Sequence, residues 1–269
     1  MLSTMTKPAQ LAVAPITAPP SKSRSRLTDA PAISPWKLRW FTGYARRYVA
    51  RQFHAVRVAG KAPRTDAPLV VYLNHPGWWD PLICLVLARH YFPNHRHYAP
   101  MDAPQLERYR VFHNLGFFAV EKNSRRGAIQ FLRGAEAALA QPRAVLWVTA
   151  QGRFADVRER PLQLEPGVAH LAQRLPGAVF VPLALEYAFW NERFPEALAR
   201  WGEPVATAEM LEQKLEETQT ALAAASQRRD AGDFTTILEG SAGVGGFYDW
   251  WRRMRAGWRG EKFQKEHES

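Results

Sequence analysis

The chain has 269 residues, 46% of them hydrophobic, which suffices for one substantial domain and excludes a chain disordered throughout. Its net charge of +11 points to a polyanionic partner, whether nucleic acid, an anionic bilayer or a phosphate-bearing substrate, and does not choose among them. The single cysteine, Cys84, excludes an internal disulfide, a thiol redox pair and a zinc–cysteine cluster, and fits a reducing compartment.

Residues 1–34 mix Pro, Ala, Ser and Thr without an apolar period, so a disordered tail is expected there. Its stretch QLAVAPITAPP is too short and too proline-rich for a signal peptide. No later run reaches the roughly 18 to 20 apolar residues of a spanning helix, so membrane contact is expected to be peripheral or monotopic. From Ser34 as N-cap and Pro35 as first helical residue, an amphipathic helix is predicted over 35–58. Trp36, Trp40, Tyr44 and Tyr48 recur every four residues in it, with Lys37, Arg39, Arg46, Arg47 and Arg51 between them. Such a stripe suits either the lipid headgroup region or packing on the protein's own domain.

Short β-prone runs then alternate with helical ones: PLVVYLN, PLICLVLARHYF, HRHYAP, FFAV, RGAIQFLRGAEAAL, AVLWVTA, GVAHLAQRL and AVFVPLALEY. This rhythm predicts an α/β fold: a single domain, spanning 59–240, with a mixed, mostly parallel central sheet flanked by helices. A charged helix from Ala206 to Asp230 is expected on its outside. The segment 241–269 repeats the aromatic-basic chemistry of the first helix, with Phe247, Trp250, Trp251 and Trp258 among Arg252, Arg253, Arg255 and Arg259. Two such segments favour a lipid surface as the anionic partner, and no nucleic acid is expected.

The chemistry centres on the turn after PLVVYLN, which reads His75-Pro76-Gly77-Trp78-Trp79-Asp80-Pro81. A His and an Asp flanking a strand-to-helix turn can meet, the carboxylate orienting the imidazole while its other nitrogen faces a substrate hydroxyl. The spacing recurs from His97 to Asp102, but within a predicted strand, where residues five apart face oppositely; His97 is therefore read as scaffold. His75 follows a buried strand at its carboxyl end, where α/β sheets place their ligands. Other chemistries fail. No Gly-x-Ser-x-Gly elbow is present, the Gly-rich run GSAGVGG follows a predicted helix and lacks the Lys-Ser/Thr of a phosphate loop, and Cys84 lies in an apolar run that reads as core.

Over about residues 66–205 the chain resembles the glycerolipid acyltransferase superfamily, whose best-known members acylate 1-acylglycerol-3-phosphate. NHPGWWDP is similar to its first block, the His-x4-Asp motif, and LGFFAVEKNSRRGA to its second. VTAQGRF stands in place of the third, usually Phe-Pro-Glu-Gly-Thr, and FVPLALEY in place of the fourth. The resemblance implies an O-acyltransferase without metal or cofactor, using acyl-CoA or acyl carrier protein as co-substrate, with His75 and Asp80 as catalytic dyad. It implies substrate contacts from Lys122, Arg125 and Arg126 in the second block and from Gln151, Gly152 and Arg153 in the third, with oxyanion donors around Gly152. A solvated basic face remains an equal reading for Arg125 and Arg126. Trp78 and Trp79 either line an acyl channel or wall the site.

Two departures bear on the acceptor. Glu121-Lys122 replaces an acidic-Arg pair, losing the bidentate fork, and Gln151 replaces a glutamate. The expected acceptor is a lysophospholipid or related lipid, with a glycolipid, aminolipid or other non-phosphate lipid alcohol as the alternative. The expected place is the cytoplasmic face of the cell membrane. A rival from another class is a non-catalytic lipid-binding relative, and an acyl-thioester hydrolase is a third reading.

Overall fold

The computed structural model describes residues 30–241. Pro35 starts helix α1 (Pro35–Gln52), which is followed by strands β1 (Ala55–Ala59) and β2 (Leu69–Leu73). Asp80 and Pro81 open α2 (Asp80–Tyr91), and β3 (Arg96–Asp102), α3 (Ala103–Arg108), β4 (Phe117–Val120) and α4 (Arg125–Leu139) follow. The chain continues through β5 (Ala144–Thr149), α5 (Pro166–Arg174), β6 (Val179–Ala188), β7 (Glu196–Trp201), α6 (Leu211–Arg228) and β8 (Thr235–Glu239).

The strands form one eight-stranded sheet in the order β4-β3-β5-β2-β6-β7-β1-β8. From β4 to β6 every neighbouring pair is parallel; β6 with β7 and β1 with β8 are antiparallel, which makes the sheet mixed but mostly parallel. Strand β2 is buried at all five positions because it lies mid-sheet with helices on both faces, and its sequence LVVYL is accordingly apolar throughout. Val71 and Leu73 pack with Phe41, Ala45 and Val49 of α1 and with Leu82, Ile83 and Val86 of α2. Val70 and Tyr72 face the other core, which holds Phe131 and Ala135 of α4, Leu171 of α5 and Leu215 of α6. The parallel arrangement brings the carboxyl ends of β4, β3, β5, β2 and β6 to one edge. The first three blocks singled out in the sequence run out there, past β2, β4 and β5, and the fourth is β6 itself.

Three expectations change. The helix predicted over 35–58 ends at Gln52, and residues 55–58 belong to β1. Phe53 takes extended backbone angles while its N–H returns to Val49 O, after which Val56 and Val58 enter the core between β7 and β8. The sheet-bearing domain therefore begins at Ala55, not residue 59. Of the expected tail 1–34, residues 32–34 are pinned: Ser34 N–H donates to Asn114 O at 2.7 Å, and Gly116 N–H donates to Ala32 O at 3.1 Å. The Gly-rich run starting at Gly240 follows strand β8 rather than a helix. Residues 1–29 of the tail and the aromatic-basic segment at 247–259 lie outside the described residues.

Candidate active site

The site is built where β2 runs out. Leu73 O still accepts from Ala150 N–H at 2.8 Å, but at Asn74 the side chain takes over from the backbone ladder. Asn74 Nδ2 donates to Leu185 O at 2.9 Å and Asn74 Oδ1 accepts from Leu185 N–H at 2.8 Å, so a buried amide clamps the end of β2 to β6. Pro76 and Gly77 then turn the chain into α2, whose first residue is Asp80. A carboxylate at a helix N-terminus is stabilised by the orphan N–H groups and the helix dipole.

His75 and Asp80 meet. The Nδ1–H of His75 donates to Asp80 Oδ2, which also accepts from Gly77 N–H at 3.3 Å. Asp80 is 1% exposed, whereas the His75 side chain keeps 18% exposure and its Nε2 makes no hydrogen bond among the described residues. A buried carboxylate thus fixes the tautomer and orientation of an imidazole whose second nitrogen is open. That is the arrangement of a general base awaiting a proton donor.

The third block closes over this pair. Gln151 is 3% exposed; its Oε1 accepts from His75 N–H at 3.4 Å and its Nε2 donates to Leu162 O at 3.0 Å. The amide joins the two blocks and has both a donor and an acceptor in use, which a carboxylate could not match at Leu162. Gly152 has φ +63°, and a Cβ there would stand 2.9 Å from Glu165 Cγ, so a side chain is disfavoured on both counts. Its N–H donates to Thr149 O, whereas among the described residues the N–H groups of Gln151, Arg153 and Phe154 find no acceptor. The phenyl ring of Phe154, itself exposed, lies over the His75 imidazole with centroids 4.4 Å apart.

The expected cations are dispersed. Arg153 is engaged by Glu159 through both terminal nitrogens, and that pairing holds the Glu159 carboxyl below its ordinary range. Lys122, Arg125 and Arg126 lie at the end of β4 and the start of α4, three strand positions from β2, or about 14 Å at the usual spacing. Arg126 pairs with Glu121 at 3.3 Å; all these side chains are solvent-accessible. Of the two tryptophans, Trp78 is exposed, whereas Trp79 packs on Tyr48 and Phe53 with centroids 5.4 and 5.0 Å away, walling the turn against α1.

Residues 55–186 match the Acyltransferase family. This span is an Acyltransferase-family domain, which makes the protein a transferase of acyl groups. The matched span covers all of the first three blocks and the fourth through Glu186, and so includes His75, Asp80 and Gln151. No curated protein matches the chain.

Three residues of this candidate site were not among those the sequence singled out. Asn74 opens the first quoted block and Phe154 closes the third. Tyr187 ends the fourth block, where strand alternation places it with Leu183 and Leu185 on the α2 face, and its hydroxyl donates to Asp80 Oδ1. The second His-x4-Asp pair does not form. His97 Nε2–H donates to Phe92 O at 3.0 Å, while its Nδ1 accepts from Trp147 Nε1–H at 3.2 Å. Burial drives its pKa down to about 4, so it is neutral scaffold as expected.

A pH dependence follows from His97. The folded value of about 4 lies below the ordinary 6.5, so protons bind the unfolded chain more tightly, and stability present above pH 6.5 is lost as pH falls toward 4. The loss should be on the order of 1–3 kcal/mol. Urea unfolding at pH 7 and pH 4.5 measures it, and His97→Gln, which keeps one donor and one acceptor, should flatten the slope. An unchanged slope in that variant would assign the acid lability elsewhere.

Proposed function

We propose that the protein moves a fatty acyl group from acyl-CoA or acyl carrier protein to a hydroxyl of a lipid acceptor at a membrane surface. The observation that carries this reading is the His75–Asp80 hydrogen bond at the carboxyl edge of the parallel strands, with Nε2 left open. His75 Nε2 takes the acceptor hydroxyl proton as that oxygen attacks the thioester carbonyl, and returns it to the departing thiolate. The oxyanion needs preorganised donors, for which the N–H groups of Arg153 and Phe154 are the candidates.

A lysophospholipid is one acceptor class. A second reading, a glycolipid, aminolipid or other lipid alcohol without phosphate beside the hydroxyl, is favoured by the surroundings of His75. Gln151 is buried, Arg153 is paired with Glu159, and an apolar ring covers the imidazole. Lys122, Arg125 and Arg126 would then serve the donor's phosphates or a solvated face.

The membrane reading rests on α1. Its inner side buries Phe41, Ala45 and Val49, while Trp36, Trp40 and Tyr44 are 70%, 64% and 49% exposed, with Arg39, Arg47 and Arg51 among them. An exposed aromatic file flanked by guanidinium groups suits an anionic headgroup layer, and we place it on the cytoplasmic face, where acyl thioesters reside. No helix among the described residues is long and apolar enough to cross a membrane.

The test supplies labelled acyl-CoA or acyl carrier protein with anionic vesicles carrying either lysophospholipid or a phosphate-free lipid alcohol. Labelled lipid product that depends on the acceptor is expected, along with co-sedimentation that weakens in Trp40→Ala and at high salt. Thiol release independent of acceptor would make the protein a hydrolase, and no turnover with either acceptor class would favour a non-catalytic lipid binder. Equal binding to neutral vesicles would remove the role given to the arginines.

A further inference from the structure

The dyad has a third member. Tyr187 lies at the end of β6, one residue beyond the span that matches the family, and its hydroxyl donates to Asp80 Oδ1. Asp80 therefore has both carboxylate oxygens occupied: Oδ2 by His75 Nδ1–H and Gly77 N–H, Oδ1 by Tyr187. The ring is held independently of that bond. It packs on Phe53 with centroids 5.6 Å apart, and it lies close enough to Gly77 that a Cβ there would touch Tyr187 Cε2 at 3.4 Å.

We infer that Tyr187 is the positioning residue of this site, fixing the Asp80 carboxylate and sharing its charge so that the strength of the Asp80–His75 bond is set from β6. This rests on the proposed base role of His75. The groups facing the Asp80–Tyr187 bond are few: His75 from the turn and the Cys84 thiol from α2. Burial, with Asp80 next, holds Cys84 in its neutral form, and burial likewise keeps Tyr187 protonated, so it serves only as a donor. A phenol donating to one oxygen draws charge from the other. Remove it and Oδ2 becomes the better acceptor for imidazolium, while the carboxylate gains freedom to rotate.

Tyr187→Phe keeps the ring on Gly77 and Phe53 and removes only the donor. It should lower kcat on the order of tenfold with KM little changed and move the acid limb of the kcat/KM profile to higher pH. 3-Fluorotyrosine at 187, nearly isosteric and a stronger donor, should move that limb the other way, and it tests the idea even if the phenylalanine variant folds poorly. A readout free of turnover is the low-field proton resonance of His75 Nδ1–H, assigned by its loss in His75→Ala. It should shift in opposite directions in the two Tyr187 variants. Unmoved resonance and unmoved acid limb would overturn the inference even if transfer by the wild type is robust. Absent transfer by the wild type, with the resonance shifting as described, would instead overturn the proposed reaction and leave Tyr187 as the residue that sets the Asp80–His75 bond.

Discussion

His75→Ala should lower kcat/KM for acyl transfer on the order of a thousandfold or more, about 4 kcal/mol of transition-state stabilisation, with the fold intact. The size follows from the reaction: a lipid alcohol is a poor nucleophile near neutral pH, and the imidazole of the other His-x4-Asp pair, His97, is committed to Phe92 and Trp147. The fold survives because the His75 ring is partly exposed and Asp80 is not orphaned by its loss, retaining Gly77 N–H and the Tyr187 hydroxyl. Asp80→Asn should cost nearly as much by another route. Its Oδ1 would accept from Tyr187, turning Nδ2 toward His75 Nδ1, so the imidazole would have to accept there and carry its proton on Nε2, the wrong tautomer for a base. Steady-state kinetics with matched thermal melts decide both. A His75→Ala variant keeping more than about a tenth of wild-type kcat/KM would place the base elsewhere.

The contrast between what the sequence disclosed and what it hid has a physical pattern. Strands β2, β5 and β6 were legible because burial on both faces makes them apolar throughout, and α2 and α4 because they are long enough to show a helical period. Three strands on the other side of the sheet were not. β1 follows α1 after only two residues, so its AVRVA reads as more helix, and β7 is EALARW, a run of helix-favouring residues made a strand by antiparallel pairing with β6. β8 is TTILE, largely exposed at the edge.

The site divides the same way. His75 and Asp80 are five residues apart, so a turn suffices to suggest their meeting, and order among the blocks supplies the rest. Tyr187 is 107 residues from Asp80, and nothing short of the β2–β6 register brings them together. The sequence suggested Arg153 as a substrate contact because it could not show that Glu159 answers it. It suggested Gln151 for the same role because a replaced glutamate looks like a changed substrate contact. The geometry gives the replacement a different cause: Leu162 O needs a donor, and only the amide has one.

Asn74 carries the second large effect. It is 1% exposed, and its amide exchanges two hydrogen bonds with the backbone of Leu185, 111 residues away. Asn74→Asp keeps the shape and the acceptor for Leu185 N–H but sets an oxygen against Leu185 O where a donor had been, in a place water does not reach. Leaving that carbonyl unanswered and burying a carboxylate should destabilise the protein by about 2–4 kcal/mol, read from urea unfolding at neutral pH. The loss should not stop at stability. His75 is the next residue on one side of the clamp and Tyr187 lies two beyond Leu185 on the other, so loosening it spreads the base and the group that steadies Asp80. In protein still folded at low temperature, kcat should fall several-fold more than KM rises, because the defect lies in the alignment of the reacting groups and not in the lipid-facing surface. A variant as stable as the wild type would mean that Leu185 O finds another donor. One that is destabilised yet keeps full kcat would mean that the Asn74–Leu185 clamp holds the sheet without setting the distance between His75 and Tyr187.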